Sequence, residues 1–187
     1  MKFILASKSP RRKEILKKMN LNFKVLNSKI DESIISKNID PHKYSMKLAE
    51  LKSEKISNNN PDKTVIAADT IVSIDNQILN KPRDINESKL MLDLLSNRTH
   101  KVITGVSLKN KFLNIDESFY DLTFVTFYKL SNHEINHYID FYKPFDKAGS
   151  YGIQDYGSLF IKEIKGSYDN VVGFPVSKFY QILKQYI

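Results

Sequence analysis

The amino-acid sequence predicts an α/β fold built on a mixed β-sheet, and three observations support that prediction. Short apolar runs alternate with segments of helical spacing early in the chain, which is typical of parallel strands joined by helices. Strand-like runs follow one another directly in the middle of the chain, which favours antiparallel pairs. The 187 residues are enough for one complete core, in one domain or in one domain with two lobes.

The N-terminal elements follow from residue type and turn chemistry. Lys2–Ala6 is a short apolar run and predicts a strand, which ends in a hydroxyl-rich turn. Ser9 is expected to cap a helix whose first residue is Pro10, because proline has no N–H group to leave unpaired there. Asn22–Leu26 alternates as a second strand, and the polar residues 27–40 predict a loop.

The central and C-terminal segments also show the spacings of apolar residues that are typical of helices and of strands. Pro41 begins a predicted helix that reaches about Ile56, and an Asn-rich segment then breaks the pattern. Thr64–Ile74 is rich in Val and Ile, and Asp75-Asn76 predicts a tight turn into a hairpin. The remaining predicted elements are the helix Asn86–Leu95, the strands His100–Leu108 and Ser118–Tyr128, the helix Ser131–Phe141 with Ser131 as its N-cap, and the helix Pro175–Tyr186.

Composition excludes several classes of protein. The chain has no cysteine, which excludes a disulfide scaffold, a thiolate zinc site and a cysteine nucleophile. No apolar run approaches the roughly 20 residues needed to cross a bilayer, and the N-terminal apolar stretch is too short for a secretory signal. We therefore expect a cytoplasmic protein with no membrane partner. The histidines lack metal-ligand neighbours and are expected at the surface: His42, His100, His133 and His137.

The net charge of +8 points to a solvated lysine surface more than to a nucleic-acid site. Only four of the 29 basic residues are arginine, and the lysines are spread along the whole chain. A dedicated nucleic-acid binder concentrates its basic residues in a patch or stripe, so nucleic acid is not the expected partner. The exception is Pro10-Arg11-Arg12-Lys13, where two arginines are adjacent.

This basic cluster lies at the predicted start of a helix. Unpaired backbone N–H groups and the positive end of the helix dipole favour an anion there, and Ser7 adds a hydroxyl to the turn. Arg11 and Arg12 oppose the dipole unless a bound anion compensates them, and their forked donors suit phosphate oxygens. The segment predicts an anion site, with an ordinary Ser-Pro helix start as the alternative.

Asp69 is notable because it lies within the apolar strand Thr64–Ile74. A carboxylate among Val and Ile side chains is costly to bury unless it is paired, hydrogen-bonded or bound to a cation. The hairpin could return Lys81 to its side, either as a structural ion pair or with Lys81 on a phosphate. Asp31-Glu32, alone a solvated acidic turn, would complete a Mg²⁺ site beside Asp69.

Glycine is concentrated near the C-terminus, where five of the six glycines lie between Gly149 and Gly173. Such a segment predicts either turns that join short strands or a wall of backbone amides that lines a ligand. Within it, Lys147–Gln154 places two glycines around a tyrosine and ends in a glutamine amide, which could hydrogen-bond the edge of a planar base. The chain has no Walker-type phosphate loop and no serine-nucleophile elbow.

Five segments in order carry a family resemblance, and they are Leu5–Arg12, Ala68–Val72, Lys81–Asp84, Lys147–Gln154 and Gly166–Pro175. Together they resemble the Maf family of nucleoside triphosphate pyrophosphatases, once described as septum-formation inhibitors. Ala68–Val72 and Lys147–Gln154 are similar to the branch that acts on dTTP and UTP rather than the branch that acts on 7-methyl-GTP. The resemblance covers essentially the whole chain.

The resemblance implies both an architecture and an activity. The implied fold is an elongated mixed sheet flanked by helices, with two lobes around a central cleft, in a single domain over residues 1–187. The implied reaction is hydrolysis of dTTP, UTP and modified pyrimidine nucleotides between the α- and β-phosphates, with Mg²⁺ or Mn²⁺. The products are a nucleoside monophosphate and pyrophosphate, and the implied assembly is a homodimer.

The resemblance and the charges together assign roles to particular residues. Asp69 is the expected catalytic carboxylate and a metal ligand, Glu32 is the second metal ligand, and Asp31 is the weaker alternative. Lys81 is expected to offset charge on the leaving pyrophosphate. The expected substrate-binding residues are Ser7, Arg11 and Arg12 on the triphosphate, Lys52 on a phosphate, and Gln154 at the edge of the base.

Two other functions stay open at this point. A purine house-cleaning pyrophosphatase for ITP and XTP shares the chemistry and the overall architecture, and a substrate panel separates it from the dTTP/UTP enzyme. A non-enzymatic basic regulator that binds nucleic acid or a division protein is supported by the +8 charge. The scattered lysines and the paired carboxylates oppose that second alternative, which DNA retention with a steep salt dependence would favour.

Overall fold

The computed structural model describes residues 1–36 and 38–187 and, within them, seven β-strands and six α-helices. The strands are β1 (Phe3–Leu5), β2 (Phe23–Val25), β3 (Thr64–Ile74), β4 (Gln77–Leu79), β5 (Thr99–Asn110), β6 (Ile115–Phe127) and β7 (Ile161–Lys165). The helices are α1 (Pro10–Lys18), α2 (Pro41–Ser57), α3 (Ile85–Leu95), α4 (Asn132–Tyr142), α5 (Tyr168–Val172) and α6 (Val176–Leu183). None of these helices has the length and apolar character required to span a membrane.

All seven strands belong to one mixed sheet, which confirms the predicted fold class. The strand order is β2-β1-β3-β5-β6-β7, and β4 pairs with β3. β1 is parallel to β2 and β3, whereas β3/β4 and β6/β7 are antiparallel. Leu5, the last residue of β1, pairs with Ile66 of β3. Because the two strands are parallel, the turn that follows β1 lies in the direction in which β3 continues to Asp69.

Local turn chemistry sets several element ends where the sequence predicts them. Pro10 is the first residue of α1, and the Ser9 hydroxyl accepts a hydrogen bond from the Arg12 N–H. The β3–β4 turn uses Asp75 and Asn76 at φ values of 50° and 61°, as a two-residue hairpin of this type requires. The predicted loop 27–40 contains a 3₁₀ turn at Glu32–Ile34, and position 37 lies outside the described residues.

The chain divides into two compact units. The first unit comprises Met1–Thr70, Thr104–Asp121 and Gly173–Ile187, and the second comprises Ile71–Ile103 and Leu122–Val172. The strands β3, β5 and β6 contribute residues to both units. Two units agree with the two lobes that the resemblance implies. The elongated outline, the central cleft and the single-domain organisation stay predictions.

Each unit has an apolar core of its own. In the first unit Ile4, Ala6, Ile56, Val65 and Ala67 pack together where β1, α2 and β3 meet. The core of the second unit is larger and more aromatic, with buried side chains that include Phe127, Tyr138, Tyr151 and Phe160.

His100 belongs to the interior of the second unit, so the prediction that it lies at the surface was wrong. Its side chain is 1% exposed, and its ring lies edge-on to Phe127 and Tyr151 at centroid distances of 4.9 and 5.3 Å. Nε2 lies 2.7 Å from the Tyr151 hydroxyl. Burial lowers the pKa of His100 to about 3, so the ring is neutral at physiological pH. Alternation along β5 explains the placement, because Thr99 and Lys101 on either side are exposed.

Candidate active site

The turn between β1 and α1 holds three of the predicted site residues. The Ser7 hydroxyl accepts hydrogen bonds from the Ser9 N–H at 3.2 Å and from Arg12 Nη1 at 3.4 Å. The first turn of α1 contains no acidic residue, and Arg11 and Arg12 are both partly exposed there. The positive end of the helix dipole thus carries two further cations without an acidic neighbour in the same turn, which is an electrostatic setting that favours an anion.

The Arg12 guanidinium is held by acceptors from distant parts of the chain. Nε donates to the Gly173 carbonyl at 2.8 Å, and Nη2 donates to Thr70 Oγ1 at 2.8 Å. Thr70 Oγ1 lies 2.9 Å from Thr104 Oγ1, so a second hydroxyl supports the first. These contacts fix the orientation of the guanidinium. Sequence reasoning missed Thr70 and Thr104, and it did not predict that the Gly173 carbonyl contacts Arg12.

Lys52 lies between the two carboxylates that the sequence predicts to meet. Its Nζ is 2.6 Å from Asp69 Oδ1 and 2.8 Å from Glu32 Oε1. The side chains of Lys52 and Asp69 are each 12% exposed, whereas that of Glu32 is 49% exposed. Asp69 is therefore the buried member of the pair and Glu32 faces solvent. Carboxylates from β3 and from the 3₁₀ turn after β2 converge on a single ammonium group.

Asp31 is occupied by a local structural contact. Its carboxylate accepts hydrogen bonds from the Ser33 N–H at 2.9 Å and from the Ser33 hydroxyl at 2.6 Å, which caps the 3₁₀ turn. These hydrogen bonds lower the pKa of Asp31 below its ordinary value. Of the two adjacent acidic residues, Glu32 is the one paired with Lys52.

The ion-pair partner of Asp69 is Lys52 and not Lys81, whose pairing with Asp69 was one of the two alternatives that the sequence left open. The β3–β4 hairpin does form, with Val72 opposite Leu79, but Lys81 is exposed and belongs to the second unit. The helix α2, which carries Lys52, packs closely on β5. A Cβ at Gly105 would lie 2.4 Å from the Met46 backbone nitrogen, so only glycine permits this approach.

The charged groups of this region influence one another. Burial lowers the pKa of Arg12, and the positive charge of Arg11 lowers it further. The negative charges of Asp69 and Glu32 act in the opposite direction and raise it. Since arginine stays protonated in proteins, the result is a set of cations and carboxylates that compensate each other within the first unit.

Gln154 lies in the second unit, in an exposed turn that its neighbours hold firmly. The Tyr138 hydroxyl donates to Asp155 Oδ1 at 2.9 Å and accepts the Gly152 N–H at 3.0 Å. The Gly157 N–H donates to the same Asp155 oxygen at 3.0 Å. The part of the glycine-rich segment around Gln154 is thus a turn fixed by hydrogen bonds. The roles of Gln154 and Lys81 stay predictions.

The carboxylate pair offers oxygen ligands of the kind that the implied metal requires. Within residues 1–36 and 38–187, no group of three or more His, Cys, Asp or Glu side chains is arranged to hold an ion. Magnesium in phosphate-processing enzymes needs only one or two carboxylates, with waters and phosphate oxygens as the other ligands. Glu32 and Asp69 present an oxygen each to one cation, so the donor set fits Mg²⁺ or Mn²⁺ and not a closed zinc site.

Comparison with known proteins decides the family. A family model described as Maf-like protein matches residues 2–186. The chain belongs to the Maf family. Its curated relatives include several proteins named dTTP/UTP pyrophosphatase. The protein from Carboxydothermus hydrogenoformans is 44% identical over 186 residues, which is 100% of this chain and 99% of that one. The protein from Thermosipho africanus is 49% identical over 185 residues, which is 98% of this chain and 92% of that one.

Solved structures resemble this Maf chain in fold at low sequence identity. A HAM1 protein from Coxiella burnetii superposes with a TM-score of 0.53 at 12% identity, covering 99% of both chains. A nucleoside-triphosphatase described as a dITP/XTP pyrophosphatase from Mycobacterium abscessus gives a TM-score of 0.51 at 12% identity, covering 98% of this chain and 95% of that one. These likenesses concern the fold alone.

Proposed function

We propose that this protein hydrolyses dTTP and UTP to the nucleoside monophosphate and pyrophosphate with the help of a divalent metal. The observation that carries the proposal is the pairing of Glu32 and Asp69 on Lys52 in a chain of the Maf family. The same unit holds the preset Arg12 guanidinium. Carboxylates for a cation and fixed donors for phosphate are the two components that phosphoryl chemistry requires.

Ser7, Arg11 and Arg12 are the proposed triphosphate clamp. The start of α1 supplies backbone donors and a positive dipole, and the two arginines add forked charge-assisted donors. Arg12 is oriented by Thr70 and Gly173, so little side-chain freedom is lost when it grips a phosphate oxygen. Lys52 adds a third cation that can contact a phosphate.

Asp69 is the proposed catalytic carboxylate. A water molecule attacks the α-phosphorus, the bond to the oxygen that bridges the α- and β-phosphates breaks, and pyrophosphate leaves with that oxygen. Asp69 orients the water and accepts a proton from it, while Lys81 offsets the charge that develops on the leaving group. Most of the rate enhancement then comes from positioning and electrostatics rather than from a covalent intermediate.

Glu32 and Asp69 would hold the Mg²⁺ or Mn²⁺ ion. When bound, such an ion neutralises phosphate charge and helps to polarise the scissile bond. The half-exposed Glu32 lies on the solvent side of the pair, which gives an ion and its waters a route to the buried Asp69.

A nucleotide panel tests this function and its main alternative. We expect pyrophosphate and monophosphate from dTTP and UTP in the presence of Mg²⁺, little free phosphate, and loss of activity with excess chelator. Gln154 is proposed to read the edge of the pyrimidine base. Hydrolysis of ITP or XTP far above that of UTP would replace this proposal with the purine house-cleaning function.

Assembly and location complete the proposal. We infer a homodimer in the cytoplasm, on the basis of the family resemblance and of the intracellular pools of nucleoside triphosphates. Analytical ultracentrifugation of the purified chain, with an expected mass of twice 21.7 kDa, tests the first statement. Cell fractionation tests the second.

A further inference from the structure

We propose that Lys52 is the internal counter-ion of the Glu32–Asp69 carboxylate pair and that a divalent cation must displace its ammonium group in order to bind to these carboxylates. This inference rests on the proposed function, and it adds a competition between a side chain and the metal for the same two oxygens. The ammonium contacts Asp69 Oδ1 at 2.6 Å and Glu32 Oε1 at 2.8 Å. A cation held by both carboxylates competes with Lys52 for these acceptors.

Burial explains why a counter-ion is needed. Asp69 is buried in a strand whose neighbours Ala67, Ala68 and Ile71 are buried as well, so its charge is costly without a partner. Lys52 provides one positive charge against two negative ones. A divalent ion brings twice the positive charge of the ammonium to the same two carboxylates, so it is favoured over the ammonium once it is present at sufficient concentration.

The two nearby cations differ in their freedom to move. Arg12 is tied to the Gly173 carbonyl and to the Thr70 hydroxyl, and its guanidinium is rigid and planar. Lys52 has a flexible four-carbon side chain, and its two ionic contacts are the carboxylates themselves. Displacement from the pair therefore leaves Arg12 in place and releases the Lys52 ammonium, which is then available for a phosphate oxygen of the substrate.

Competition between Lys52 and the metal predicts the direction in which the metal affinity changes when the ammonium group is removed. If a ligand binds only the state in which Lys52 has left the carboxylates, the free energy needed to displace Lys52 lowers the observed affinity for that ligand. Removing the ammonium must then tighten metal binding in the absence of nucleotide. A lysine that merely supports the fold, or one that acts only on the substrate, predicts no such gain.

The test is titration of the nucleotide-free protein with Mn²⁺ by isothermal calorimetry. We expect Lys52→Met to lower the dissociation constant about tenfold or more. Lys55→Met is the matched control, because Lys55 lies one turn further along α2, is exposed and donates to the Lys29 carbonyl. It should bind Mn²⁺ as the wild type does. The gain should vanish in Lys52→Met/Glu32→Gln, which would locate the ion at the carboxylates.

An unchanged or weaker Mn²⁺ affinity in folded Lys52→Met overturns the proposal. If wild-type protein still releases pyrophosphate in that case, only the counter-ion role of Lys52 fails. If the wild type neither binds Mn²⁺ nor releases pyrophosphate, the proposed function fails as well. Should Lys52→Met not fold, a crystal structure of wild-type protein soaked in Mn²⁺ alone decides. The Lys52 ammonium is expected more than about 4 Å from both carboxylates, and its retention there beside a bound ion would refute the competition.

Discussion

Arg12 and Thr70 are joined by a hydrogen bond of 2.8 Å between Nη2 and Oγ1, although 58 positions separate them in the chain. Thr70 directly follows Asp69 in β3, so one strand supplies both the buried carboxylate and the anchor of the arginine. Two adjacent residues of β3 therefore set the position of the Arg12 guanidinium relative to the Asp69 carboxylate. Sites built in this way hold their geometry more precisely than sites assembled on loops.

Replacing Thr70 with valine should weaken catalysis without unfolding the protein. Valine keeps the shape and removes the hydroxyl that orients Arg12, so we expect kcat/KM for dTTP to fall by about ten- to a hundredfold. Thr70→Ser restores the hydroxyl and should recover most of the activity. Thr126→Val is a matched control from an exposed threonine pair with Thr99. Wild-type kinetics in Thr70→Val would show that this hydrogen bond has no part in substrate binding.

Gly105→Ala should destabilise the first unit through a direct backbone clash. The added methyl group would lie 2.4 Å from the Met46 nitrogen and from the Ser45 carbonyl carbon, so α2 must move away from β5. We expect the free energy of unfolding in urea to fall by about 1–3 kcal/mol or more. Gly152→Ala is the control, because the atoms nearest to its new methyl group belong to the side chains of Asp155 and Lys147 and not to the backbone. Equal stability of the two variants would contradict this explanation.

His100 should make the fold sensitive to acid. Its pKa is about 3 in the folded chain and 6.5 in an ordinary environment, so the unfolded chain binds the proton more tightly. Stability should therefore be complete above pH 6.5 and fall as the pH is lowered towards 3, by at most about 1.4 kcal/mol per pH unit. Carboxylates with lowered pKa values add to the acid sensitivity of the wild type.

The contribution of His100 is isolated by comparing variants in urea unfolding at several pH values. His100→Gln cannot titrate, so its stability should decline less steeply between pH 6.5 and 4 than that of the wild type. His133→Gln changes an exposed histidine of α4 and should keep the wild-type slope. Parallel curves for wild type and His100→Gln would mean that the buried ring does not govern this pH range.

Most of the fold was predictable from local signals. Thr64–Ile74 is predicted and observed with the same bounds, because a Val- and Ile-rich run ends at an Asp-Asn turn. Ser131 caps α4 through a reciprocal pair with Glu134. β7 escaped prediction because Ile161–Lys165 carries three charged residues and only partial burial, and its strand conformation depends on pairing with β6. Such edge strands depend on tertiary contacts more than on their own composition.

The site was predictable in its charged residues and not in their partners. Asp69 and Arg12 are unusual for their surroundings in the sequence, and that signal is local, whereas Glu32 was singled out only as a possible partner of Asp69. The contacts that orient these side chains are not local in the sequence. The Gly173 carbonyl contacts Arg12 across 161 positions, and Lys52 contacts Asp69 across 17. A carbonyl acceptor also has no residue-type signature, because every residue carries one.

Pyrophosphate release by Asp69→Asn beside the wild type is the most direct test of the proposed chemistry. With dTTP and UTP and Mg²⁺, the wild type should yield equal amounts of monophosphate and pyrophosphate. Asp69→Asn should remain folded and release pyrophosphate at least about a thousandfold more slowly than the wild type. Asp62→Asn, which alters an exposed carboxylate paired with Lys63, should act as the wild type does. Undiminished pyrophosphate release by folded Asp69→Asn would contradict the assignment of this carboxylate as the centre of the reaction.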